Sequence, residues 1–140
     1  MLVVGLPRQP RFELHAAVIA PERFAIDDEK RRAEHAVGDR QILPKQYLLE
    51  ATDWRSQPEA FAPRRATRYF GYGYQFWLFP GDKRRFALLG VYGQSIFVDP
   101  ELKLVMVITA AARNARVGQE SFAAERNALW RGVVGKFGSW

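Results

Sequence analysis

Apolar and polar positions fall into a regular pattern from Gly38 onward. Tyr72, Tyr74, Phe76 and Leu78 alternate with Gly73, Gln75, Trp77 and Phe79, the period of two expected of a strand. Both sets are mostly aromatic or apolar, so both faces are expected to be covered. A second run extends from Phe86 to Val98 and is interrupted by Gly90 and Gly93. A third, Leu102 to Thr109, is rich in β-branched residues, which favour pleated structure. Pro80-Gly81-Asp82 and Asp99-Pro100-Glu101 separate the runs and are turns by composition. Connections this short predict an antiparallel meander of about three strands. The spacing of Phe122, Leu129, Trp130 and Val133 then predicts a helix over about Gly118 to Val134. Its apolar stripe is expected to pack on the sheet, giving an α+β fold.

Upstream, Gln41-Ile42-Leu43-Pro44 leads into a short helix ending near Thr52. Pro44 suits the first helical position, where its missing N–H has no partner to lose. Tyr47, Leu48 and Ala51 share one face of that helix. Residues 53–68 are polar and contain proline, and read as a loop. Residues 1–37 resist assignment: Pro7, Pro10 and Pro21 interrupt them. A strand is expected near Phe12 to Ala20, and residues 27–37 carry a charged helical pattern with little apolar face. The chain is therefore divided into an N-terminal segment, 1–37, and an organised domain, 38–140.

Composition narrows the chemistry. At 140 residues, with 48% hydrophobic and 14% aromatic content, one domain with a real core is expected, and wholesale disorder is excluded. Cysteine is absent, which removes disulfides, thiolate metal sites and cysteine nucleophiles. Two histidines, His15 and His35, argue against a multi-histidine metal site, and no cofactor is expected. The apolar runs are far shorter than the ~20 residues of a membrane span. No signal-peptide pattern opens the chain, so a cytoplasmic location is expected. The net charge of +6 comes from small scattered groups: Lys30-Arg31-Arg32, Arg64-Arg65 with Arg68, and Lys83-Arg84-Arg85. With no recognition helix, zinc finger or RNP-type strand beside them, they read as solvated surface and argue against nucleic acid as a partner.

No self-contained catalytic constellation is visible. The four serines, Ser56, Ser95, Ser121 and Ser139, have no lysine three positions later and no G-x-S-x-G context. Neither a phosphate-binding loop nor H-E-x-x-H occurs. The most informative segment is Gly90-Val91-Tyr92-Gly93-Gln94. Glycine inside a strand marks a bulge, or a place where another group approaches the backbone. Gly90, Val91, Tyr92 and Gly93 are therefore candidate substrate-binding residues, offering N–H groups to a substrate carbonyl. The competing reading is a simple bend.

The runs Phe70-Gly71-Tyr72-Gly73-Tyr74, Gly90 to Pro100 and Leu104 to Thr109, preceded by Gly38 to Pro44 and Ala51-Thr52, resemble the C-terminal part of serine hydrolases related to β-lactamases and penicillin-binding proteins. Within that group the chain resembles the esterase and 6-aminohexanoate-dimer hydrolase branch. It covers roughly residues 38–134. It implies hydrolysis of a small amide or ester by a serine of an S-x-x-K motif, assisted by the tyrosine of a Y-x-[NS] motif. A third motif, of K-T-G type on an edge strand, falls by position on Leu88-Leu89-Gly90. The resemblance makes Val91 the oxyanion N–H donor, although Leu88 stands where that family has Lys or His.

S-x-x-K is absent from the chain, and no tyrosine has Asn or Ser two positions later. The expectation is a C-terminal fragment of such a hydrolase, inactive alone and without a catalytic residue of its own. The alternative is a non-catalytic module that binds a protein or dimerises. Self-association, or a complementing chain, would cover the strand edge and apolar face that a partial sheet leaves open.

Overall fold

Runs of β-branched and aromatic residues bounded by glycine and proline become short strands, and the two late helical patterns become helices. The computed structural model describes residues 2–5, 14–19, 36–37, 40–111 and 121–140. In chain order the strands are β1 (Leu2–Gly5), β2 (Leu14–Ile19), β3 (Ala36–Val37), β4 (Arg40–Gln41), β5 (Gly71–Gly73), β6 (Phe76–Leu78), β7 (Phe86–Leu89), β8 (Ser95–Asp99) and β9 (Leu104–Ala110). The helices are α1 (Lys45–Ala51) and α2 (Ser121–Phe137). Two compact units result. One comprises Met1–Pro21 with Ala87–Trp140, the other Glu22–Phe86.

In the first unit the strand order is β1-β2-β9-β8-β7. β2 and β8 both pair antiparallel with β9, and β1 pairs antiparallel with β2. The register places Val18 opposite Met106, and Met106 opposite Phe97. These three form one row across three strands, and all are buried. Leu104 and Ile108 flank the row on β9, each at most 1% exposed. Trp130 and Val134, one helical turn apart on α2, are also buried. The rings of Phe97 and Trp130 meet with centroids 5.5 Å apart. Successive side chains on a strand point to opposite faces. Leu88, Ile96, Val98, Val105 and Val107 therefore occupy the other face, where they are half-buried or exposed.

The β8–β9 turn follows its expected chemistry. Asp99 Oδ1 accepts the Leu102 N–H at 2.9 Å, so the side chain bridges the loop. Lys103 takes the left-handed conformation, φ 52°, before β9 begins.

In the second unit, β5 and β6 form a hairpin pairing Gly73 with Phe76 across a two-residue loop. Tyr74 and Gln75 both have positive φ, 50° and 72°, the combination a type I′ turn requires. The hairpin rests on the α1 region. The Tyr74 hydroxyl donates to Glu50 Oε1 at 2.9 Å, and its ring meets Tyr47 edge-on at 5.4 Å. Gln57 occupies the space a Cβ on Gly73 would need, and its amide donates to the carbonyls of Glu50 and Asp53. Phe70, Leu78 and Phe79 form the buried centre, with Tyr69 and Trp77 edge-on around them.

Several expectations need correction. The strand expected over residues 72–79 is a hairpin, because Tyr74-Gln75 reverses the chain. The run from Phe86 to Val98 is two strands, because residues 90–94 also reverse it. The meander of about three strands is thus too small, and β1 and β2 extend the sheet beyond β9. The α+β class, with an antiparallel sheet and a C-terminal helix, holds. That helix runs to Phe137, three residues beyond the expected end, while residues 118–120 and the Phe122 side chain lie outside the described residues. Pro44 has extended backbone and is the N-cap, one position before the first helical residue. Residues 27–35 lie outside the described residues, while Ala36–Val37 pairs as a strand with Arg40–Gln41. No helix among the described residues is long and apolar enough to cross a membrane.

Candidate functional site

Gly90, Val91, Tyr92 and Gly93 come together in the loop joining β7 to β8. Gly90 N–H donates to Gln94 O at 2.7 Å, and Gly93 N–H donates to Gly90 O at 3.3 Å. Gly93 has φ +95°. This is the three-residue hairpin loop that ends on a left-handed residue, which explains glycine at position 93. At position 90 a Cβ would lie 2.7 Å from the movable Gln94 Oε1 and 3.3 Å from the Gln94 carbonyl oxygen. The same Gln94 Oε1 accepts the Tyr92 N–H at 3.2 Å. Gly93 is therefore explained by the turn itself, and Gly90 stands close against Gln94.

Three of the four candidate N–H groups are consumed internally. The fourth, on Val91, donates to no described residue. Val91 is 64% exposed and Tyr92 45%, so this N–H stands at an open turn beside an aromatic ring. An oxyanion hole needs convergent donors aimed at the developing charge, and the turn supplies one. Leu88, at the place of the K-T-G lysine, is exposed and brings no charge.

Ser95 is the serine nearest in sequence to this turn. It is 2% exposed. Its hydroxyl donates to Gly93 O at 3.1 Å and accepts from Arg126 Nη1 at 3.2 Å. A nucleophilic hydroxyl needs an adjacent base; a carbonyl and a guanidinium cannot take its proton. Ser95 is thus part of the scaffold that holds Gly93. Among the described residues no cluster of His, Asp and Glu could hold a metal ion.

The sequence reading did not single out Arg126. It lies one turn before Trp130 on the buried side of α2, yet it is only 8% exposed. Its guanidinium carbon sits 5.6 Å from the Phe97 ring centroid. Burial lowers its pKa from the ordinary arginine value. Arg126 Nε, Trp130 Nε1 and Asn127 Oδ1 are all buried without a hydrogen-bond partner among the described residues. The available signal was the four-residue spacing to Trp130, which puts an arginine on the apolar stripe.

In the second unit the Tyr74 pKa is raised above its ordinary value. The hydrogen bond to Glu50 is the main cause, followed by repulsion from the Glu50 charge.

No protein-family model matches the chain. No curated protein matches it either.

Proposed function

We propose that the chain is the C-terminal part of a β-lactamase-related serine hydrolase domain, in which Val91 supplies one carbonyl-binding N–H for a small amide or ester substrate. The observation that carries this reading is the Val91 N–H. Val91 is exposed and its N–H has no acceptor among the described residues, at the one position the sequence resemblance assigns to an oxyanion donor. The antiparallel β8 and β9 strands, followed by a helix whose Trp130 lies against Phe97, are compatible with that architecture. Without S-x-x-K the chain forms no acyl intermediate by itself, since one donor without a nucleophile has no developing charge to stabilise.

The test is complementation. The chain is mixed with the N-terminal part of an active esterase of that family, carrying S-x-x-K and Y-x-[NS], and ester turnover is followed. Turnover is expected for the mixture. It should fall about 100-fold or more with Val91→Pro, the scale of losing one oxyanion donor. Proline is favoured at the second position of such a turn and removes the N–H. A mixture without turnover, or equal turnover with Val91→Pro, contradicts the proposal.

A second reading, a non-catalytic module that binds protein or dimerises, is favoured by the apolar outer face formed by Leu88, Ile96, Val98, Val105 and Val107 in the first unit. A concentration-dependent mass in light scattering supports it, and a monomer at all concentrations contradicts it.

A further inference from the structure

We propose that Arg126 and Trp130 form a binding site for a small organic carboxylate on the helix-covered face of the first unit's sheet. This does not depend on the hydrolase reading. Arg126 is buried, with 8% of its surface exposed, and it forms no ion pair with a described residue. Its only polar partner there is the neutral Ser95 hydroxyl. A buried charge is normally paired, because leaving it alone in a low-dielectric interior is costly.

Apart from Ser95, the contact given for the Arg126 side chain is apolar: Phe97 on β8 meets both Arg126 and Trp130. Two strong donors, Arg126 Nε–H and Trp130 Nε1–H, lie one helical turn apart and find no acceptor among the described residues. Asn127 Oδ1, on the same helix, is a third buried polar atom without a partner among the described residues. Such groups are rare in folded proteins. Three within two turns of one helix mark a place suited to a polar guest rather than ordinary core.

The donor set selects the guest. One guanidinium balances one negative charge, and its planar fork fits a carboxylate. A phosphate dianion would leave charge uncompensated, with no second cation among these residues. Burial of Arg126 and Trp130 restricts the guest to a small acid, and the Phe97 ring favours one with an apolar tail, such as benzoate.

The test is a titration of the ¹⁵N-labelled chain with benzoate, acetate, chloride and phosphate at constant ionic strength. The Arg126 Nε–H and Trp130 Nε1–H signals are the readout. Saturable shifts of both signals are expected with the carboxylates, with benzoate bound more tightly than acetate. Arg126→Met should weaken benzoate binding about 10- to 100-fold, as loss of a charged hydrogen bond implies. That variant should melt no lower than the wild type without benzoate, and its melting temperature should not rise with benzoate, whereas the wild type's should. If Arg126→Met fails to fold, the wild-type titration decides alone. Unmoved signals, equal shifts with chloride, or tighter binding of phosphate would overturn the proposal.

Discussion

A single left-handed glycine fixes the loop on which the functional reading rests. Gly93 has φ +95°, so Gly93→Ala should destabilise the protein by about 1–2 kcal/mol, the cost of placing a side chain in that conformation, as measured by urea unfolding. Val91→Pro should behave oppositely. Its ring fits the turn and the lost N–H has no internal acceptor, so unfolding should show no loss of stability and a gain of up to about 1 kcal/mol. At Tyr74 the expected outcome concerns pH. Its hydroxyl donates to Glu50, which raises its pKa above the ordinary tyrosine value of about 10. A group whose folded pKa is raised stabilises the fold below its unfolded pKa. That contribution disappears as pH climbs through the higher folded value. Ultraviolet titration should show a tyrosine midpoint above 10 that returns toward 10 in Glu50→Gln.

At the level of elements, legibility followed local chemistry. β9 was readable because its β-branched run has no interruption, and the turn before it because Asp99-Pro100 encodes its own geometry. α2 was readable from the spacing of Leu129, Trp130 and Val133. The β5–β6 hairpin was hidden because Tyr74 and Gln75 stand where Asn-Gly is usual. The hydroxyl bond to Glu50 and the Gln57 side chain beneath Gly73 hold that turn, and both are contacts distant in sequence. The loop at Gly90–Gly93 was visible as two glycines, but alternation on either side disguised a reversal as one strand. Arg126 was missed because helical periodicity assigns charged residues to solvent. The contact of α2 with β8 centres on Trp130 and Phe97, both fully buried. Trp130→Ala should therefore cost about 3–5 kcal/mol, seen as a lower denaturant midpoint with an unchanged slope.

For the molecule as a whole, the first unit is discontinuous in sequence: the chain leaves it after Pro21 and re-enters at Ala87. β2 pairs along β9 from Leu14–Ala110 to Ile19–Val105. Removing residues 1–21 would strip that partner and expose the backbone edge of an apolar strand. The truncated chain should show a larger, concentration-dependent mass by light scattering than the full chain does. The hydrolase reading concerns the same unit. Its sheet presents the Val91 N–H at a turn, and its one serine near that turn, Ser95, is held by Gly93 O and Arg126. The most direct measurement is intact-mass spectrometry of the full chain after incubation with a fluorophosphonate. The account predicts an unchanged mass, whereas a stoichiometric adduct mapped to any one of the four serines would contradict it.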